Sequence, residues 1–182
     1  MTFPAGPIFD AHFHVIDPRF PLQPNQGFVP EPFPVDAYRA AGGPLGGGGG
    51  GLLSGLRPNV AARRPRRPRA VVRRVAQLPK VVVDHLGMTA AGLKPLLGLV
   101  EAGASVKATG FGRAELDVPG ALAAVAAVNP GALLFGTDLP STRARRPFQP
   151  ADIDLVVETL GEENSRRALY DNAMALYRPR RA

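Results

Sequence analysis

From Lys80 to the C-terminus, short apolar runs alternate with stretches of helical period, and this alternation restricts the fold more than any other feature. Lys80-Val81-Val82-Val83-Asp84-His85 has the length and β-branched content of a buried strand. Thr89 is placed to cap a helix over 90 to 101, with Leu93, Leu96, Leu97 and Val100 on one face and Gly103 as its stop. Residues 104 to 108 read as a second strand. Pro119 opens an Ala-rich helix to about Val128, and 132 to 135 form a third strand. Two helices, about 151 to 160 and 162 to 177, close the chain. Strand followed by helix, three times over, predicts an α/β fold with a parallel sheet. Sites in such sheets form where strands end at their C-termini. The three runs end at or near His85, Arg113 and Asp138.

An earlier stretch has the same character. In Ile8-Phe9-Asp10-Ala11-His12-Phe13-His14, side chains two apart share a face of a strand. Phe9, Ala11 and Phe13 give one apolar face. The other runs from Ile8 through Asp10 to His12 and His14, so two imidazoles stand at its C-terminal end. The chain has three histidines in all, and each falls at or near a strand end. Taken singly, His85 reads as a satisfied core histidine and Asp138 as a turn or cap residue. Taken together, the coincidence points to a site.

The middle is different. Six prolines between 18 and 34 exclude regular helix or a central strand, so 17 to 34 reads as a long arm whose Phe20, Leu22, Phe28 and Phe33 lie on a surface. Residues 35 to 40 open a helix. Six consecutive glycines, Gly46 to Gly51, follow, and eight arginines fall between 57 and 74 with no acid from Asp36 to Asp84. Residues 42 to 70 have no helix or strand period and are expected to be disordered; a short helix is expected over 69 to 78. No Gly-Lys-Ser/Thr follows the glycines, which excludes a phosphate-cradling loop. The chain thus divides as 1–41, 42–70 and 71–182 within one domain.

The net charge of +7 is smaller than the eight clustered arginines, so the rest of the chain is close to neutral. Those arginines offer salt-dependent attraction to an anionic polymer, with no aromatic residue interleaved for stacking. The absence of cysteine and of a visible leader fits a reducing cytoplasmic setting. No apolar run approaches the roughly 20 residues that span a bilayer. Homo-oligomerisation is left open.

These residues carry a resemblance. Asp10-Ala11-His12-Phe13-His14, Val83-Asp84-His85-Leu86-Gly87, Val106-Lys107-Ala108-Thr109-Gly110, Gly136-Thr137-Asp138-Leu139-Pro140 and the close at 171 to 177 resemble, in order, segments of the amidohydrolase superfamily, in its pyrone dicarboxylate lactonase-like branch. The resemblance covers 7 to about 41 and 78 to 178. It implies a TIM-barrel (β/α)8 hydrolase acting on a small molecule. It also implies His12, His14 and Asp138 as ligands of a divalent metal, zinc first, with a metal-free mechanism as the alternative. Asp138 and His85 become the catalytic residues, and Arg113 and Lys107 substrate-binding residues.

Length sets a second expectation. Such a barrel takes about 250 residues, and this chain has 182. Gly, Arg, Pro and Ala are what GC-rich codons yield out of frame, so 42 to 70 reads as a replacement for about four strand–helix units. A truncated barrel or open parallel sheet of order 6-7-8-1 follows. Three functions are carried forward: hydrolysis of a lactone, amide or carboxylated ring; a catalytically impaired truncated relative; and anionic-polymer binding through Arg57 to Arg74.

Overall fold

The apolar runs of the C-terminal half become the centre of the molecule. In the computed structural model, residues 6–24, 27–42, 50–52, 78 and 80–177 are described. Three parallel strands, β3 (Val82–Val83), β4 (Ser105–Ala108) and β5 (Leu133–Phe135), form a sheet of order β3-β4-β5. Helix α2 (Ala90–Glu101) connects the first two and α3 (Val118–Val128) the last two. Val106, Leu133 and Phe135 pack against Leu96, Val100, Leu122 and Val125 in the main core. Complete burial of one such leucine is worth about 2 kcal/mol, and this removal of apolar surface from water holds helices to sheet.

Local chemistry sets most of the boundaries. Pro119 lies in the first turn of α3, where its missing N–H leaves no helix bond unmade. In α2, Leu96, Leu99 and Val100 are buried, with Leu93 and Leu97 packed against the same core. Thr89 differs from expectation: its side chain makes no capping bond. The backbone there is occupied instead, since Ala90 donates to the Glu115 carbonyl and Glu115 to that of Met88. The closing helix, α4 (Ala151–Arg166), is broken at Gly161, whose φ of 71° is a left-handed conformation that glycine takes without penalty. The break falls where two helices were expected to meet. A π-helical turn, Arg167–Asp171, leads into α5 (Asn172–Tyr177).

The N-terminal strand, β1 (Asp10–Phe13), is buried throughout. Its alternation sorts its neighbours. Phe9 and Ala11 pack with Leu134 and Ala173, whereas Ile8 joins the main core. β1 lies beside β5, joined just past its end: Asp138 N–H donates to the His12 carbonyl at 2.7 Å and His14 N–H to that of Leu139 at 2.8 Å. Its ladder partner is β2 (Gly50–Leu52), which runs parallel to it. The described strands therefore form two sheets, and β1 is not a fourth member of the β3-β4-β5 ladder.

β2 lies inside the Gly-rich stretch expected to be disordered. A backbone ladder needs no side chains, and β1 offers an edge to pair with. The Arg-rich stretch and the expected helix over 69 to 78 lie outside the described residues, apart from Leu78. The arm folds back on itself where Ile16 and Phe33 exchange two hydrogen bonds of 2.8 Å. Phe20 is among its exposed side chains. It then enters α1 (Val35–Ala41), whose Tyr38 ring stacks on Phe13 at 3.9 Å. No helix among the described residues is long and apolar enough to cross a membrane.

Candidate functional site

The polar residues at the strand ends meet where the C-terminal end of β1 lies beside the segment that follows β5. His12 lies 5.0 Å from His14 and 4.9 Å from His85, ring centroid to centroid. Asp138 Oδ1 is 3.5 Å from His12 Nε2 and 3.4 Å from His14 Nε2. All three histidines and the carboxylate thus converge. Asp138 is 0% exposed and the His14 side chain 33%, so the cluster has a closed floor and an open rim.

Two of these side chains sit on unusual backbone. His85 and Asp138 have φ of 54° and 60°. Left-handed geometry in a non-glycine residue costs of order 1 kcal/mol or more, and it concentrates at functional sites. Close approach matters as much. A Cβ on Gly136 would stand 2.7 Å from the backbone nitrogen and Cβ of His12, so only glycine lets β1 lie this near β5.

A buried carboxylate, Asp10, fastens the joint. It accepts the backbone N–H groups of His12 at 3.1 Å and Thr137 at 3.0 Å, the Thr137 hydroxyl at 2.7 Å and the Tyr38 hydroxyl at 3.0 Å. Burial pushes the Asp10 carboxyl up, against the downward pull of those bonds. It thereby holds His12, the residue before Asp138, and helix α1 at one point. Asp10 was visible in the sequence as a member of the polar face. Its role was missed because its partners lie up to 127 positions away.

Charges around the cluster are committed to one another. Arg113 donates to Asp138 Oδ2 from Nε at 2.8 Å and Nη2 at 2.6 Å, and from Nη2 to the Thr142 carbonyl at 2.9 Å. The guanidinium expected to anchor a substrate carboxylate is therefore engaged by a carboxylate of the chain itself. Lys107 is buried, 3.1 Å from both His12 Nδ1 and Asp84 Oδ1. Asp84 also lies 3.5 Å from His12 Nδ1. It was quoted in the Asp84-His85 segment but not singled out; its pairing with Lys107 could have been sought from the polar ends of adjacent strands.

The electrostatics follow from these contacts. Burial would raise the Asp138 carboxyl, but the His12 and His14 imidazoles beside it, with the charges of His85 and Arg113, hold it well below the usual carboxylate range. Asp84 is held low in the same way: burial opposes, and His12 and Lys107 prevail. Burial pushes His85 down to about 4, with help from the charges of His12 and Arg113. His12 goes the other way: burial would lower it, and the Asp138 and Asp84 carboxylates, each 3.5 Å away, raise it.

One ligand atom from each of His12, His14 and Asp138 lies within 4.8 Å of the others. His12 Nε2 and Asp138 Oδ1 are buried with no hydrogen-bond partner, as is His85 Nδ1. Orphaned buried polar atoms call for an explanation, and an ion is one. Ligands bound to zinc at about 2.1 Å in a tetrahedron stand about 3.4 Å apart, matching the two distances to Asp138. Two imidazoles and a carboxylate are also a donor set that zinc accepts. The residues fit a divalent cation.

A family profile described as Amidohydrolase matches residues 58–178. The matched span carries His85, Lys107, Arg113 and Asp138 but stops short of His12 and His14. No curated protein matches the chain. Among solved structures, the chain is similar to that of ATU3138 from Agrobacterium tumefaciens, crystallised in its apo form. The two share 18% identity with a TM-score of 0.70, over 99% of this chain and 98% of that one. Such a likeness speaks for the fold alone.

Proposed function

The chain belongs to the amidohydrolase family, and from that premise we propose a hydrolase that directs water at a small lactone, amide or carboxylated ring. The observation that carries this reading is Asp138 Oδ1. It is buried, has no hydrogen-bond partner and is faced by two imidazole Nε2 atoms, while Arg113 fixes the other oxygen. An ionised carboxylate with one oxygen left without a hydrogen-bond partner can orient a water and take its proton. The grip of Arg113 weakens it as a base, so it acts on a water already polarised at the site. His85, at about 4, is neutral near pH 7 and suits hydrogen bonding to substrate or a brief proton transfer.

His12, His14 and Asp138 would hold a divalent cation, zinc first by donor type, and when bound it would polarise the substrate carbonyl and acidify water. In the metal-free alternative the imidazole N–H groups donate to the carbonyl oxygen. Under both readings Arg113 fixes Asp138 and Lys107 sits behind His12. The lactonase-like branch, a barrel ancestry, a cytoplasmic setting and a homo-oligomer belong to the same proposal.

The test is a hydrolysis screen of small lactones and amides with the full chain, alongside metal analysis. Turnover that falls at least about a hundredfold in Asp138→Asn supports the reading; turnover indifferent to that change removes it. A second reading, a catalytically impaired relative, is favoured by the two separate sheets among the described residues and by the 51% exposure of the Asp84 side chain. An open rim lets water weaken electrostatic stabilisation. Folded protein with no turnover across the screen would select it.

A further inference from the structure

Nδ1 of His12 has two neighbours of opposite character. Lys107 Nζ is 3.1 Å away and Asp84 Oδ1 is 3.5 Å away, and these two are paired with each other at 3.1 Å. A neutral imidazole carries one proton, so whatever Nδ1 faces decides which nitrogen holds it. An ammonium has three donors and no acceptor. With Lys107 donating to Nδ1, the imidazole proton stands on Nε2, which then cannot be a ligand. With Asp84 accepting Nδ1–H, Nε2 is bare. That second arrangement is the one metal-ligating histidines adopt, handing their other N–H to a carboxylate, carbonyl or water. The distances favour the first.

We propose that Lys107 and Asp84 compete for Nδ1 of His12, and that the winner sets whether the site accepts a divalent cation. Lys107 keeps the proton on Nε2 and disfavours the cation; Asp84 draws the proton to Nδ1 and favours it. This rests on the reading of His12, His14 and Asp138 as a cation-capable set. It gives the buried Lys107 a positioning role, acting through His12 rather than on substrate.

Two measurements on the full chain test it. Long-range ¹H–¹⁵N spectra of chelator-stripped protein at about pH 9, above the ordinary imidazole range, identify the His12 tautomer, with His12→Gln to assign the signal. The expected result is Nε2–H in the wild type and Nδ1–H in Lys107→Met. Zinc affinity, read by competition with a chromophoric chelator, should tighten about tenfold in Lys107→Met and weaken about tenfold in Asp84→Asn. Removing charge alone would also tighten zinc in Lys107→Met and weaken it in Asp84→Asn, so the tautomer decides. Nδ1–H in the wild type, or no change in Lys107→Met, overturns the proposal. Should Lys107→Met fail to fold, Asp84→Asn at the exposed partner carries the test. It must keep Nε2–H and lose zinc affinity, and failing either overturns the competition. Equal zinc affinity in all three proteins, abolished by His14→Ala, removes the competition but leaves the cation site. No zinc binding in any of them removes both.

Discussion

The stretch from Val82 to Tyr177 and the stretch from Gly6 to Gly42 build the two halves of the site by different means. The first holds itself: three laddered strands and their helices enclose most of the buried apolar side chains, and the family match falls on it. The second is held by the first. β1 reaches it through a small cluster of Phe9, Ala11, Leu134 and Ala173, two backbone bonds past the end of β5, and the Asp10 latch. Yet His12 and His14 come from the second and Asp138, His85, Lys107 and Arg113 from the first. The chemistry therefore depends on a joint more weakly fastened than either the sheet or its core, and substitutions should separate the two.

The largest effect should come from Asp138, where the halves touch. Asp138→Asn keeps the shape but not the charge, so turnover should fall by about 10²- to 10⁴-fold while the thermal midpoint moves little by comparison. A comparable loss of stability would mean that the ion pair with Arg113 is chiefly structural.

Gly136→Ala attacks the joint itself. The added methyl meets the His12 backbone, and a displacement of about 1 Å can cost about a hundredfold in rate. Activity should collapse with far-ultraviolet circular dichroism unchanged, because the core of the C-terminal half is untouched. Normal turnover would show that β1 can shift without consequence.

Asp10→Ala removes one acceptor group from four donors. Leaving buried donors unsatisfied costs about 1–3 kcal/mol each when water cannot reach them, so denaturant unfolding should show a loss of about 3 kcal/mol or more. An unchanged midpoint would assign the fastening of β1 to its apolar contacts.

The smallest effect is a pH dependence. His85 is depressed to about 4 from an unfolded value near 6.5. Between those values the unfolded chain binds the proton and the folded chain does not. Stability is therefore complete above about pH 6.5 and falls as pH drops toward 4. In His85→Gln the unfolding free energy should lose about 1–2 kcal/mol less between pH 7 and pH 5 than in the wild type. Parallel curves would place the acid sensitivity elsewhere.

The C-terminal half was largely legible in the sequence because its signals are local. Pro119, Gly161 and the apolar runs act on their own neighbourhoods, and helices and strands appear close to where these residues set them. Val82–Val83 is shorter than the run that announced it, since the chain leaves the ladder after the extended Asp84 and turns at His85, which takes a left-handed backbone. The Gly50–Leu52 strand had no legible signal: it is held by backbone pairing to β1, which composition does not encode. The convergence of His12, His14, His85 and Asp138 was inferred from strand ends. The engagement of Arg113 and Lys107 was not, because a cation at a site edge reads alike whether it meets a substrate or a carboxylate of its own chain.

By itself, then, the sequence determined the alternation of strand and helix from Lys80 onward, the two faces of β1, and the set of ionisable groups carried to the strand ends. Tertiary structure alone decided how those groups pair: that Arg113 grips Asp138, that Asp10 latches β1 to Thr137 and Tyr38, and that Lys107 and Asp84 both face His12. The physical reason is range. Propensity and periodicity act over a few residues, whereas a charge takes whichever partner folding brings within about 3 Å, and here those partners lie 23 to 127 positions away.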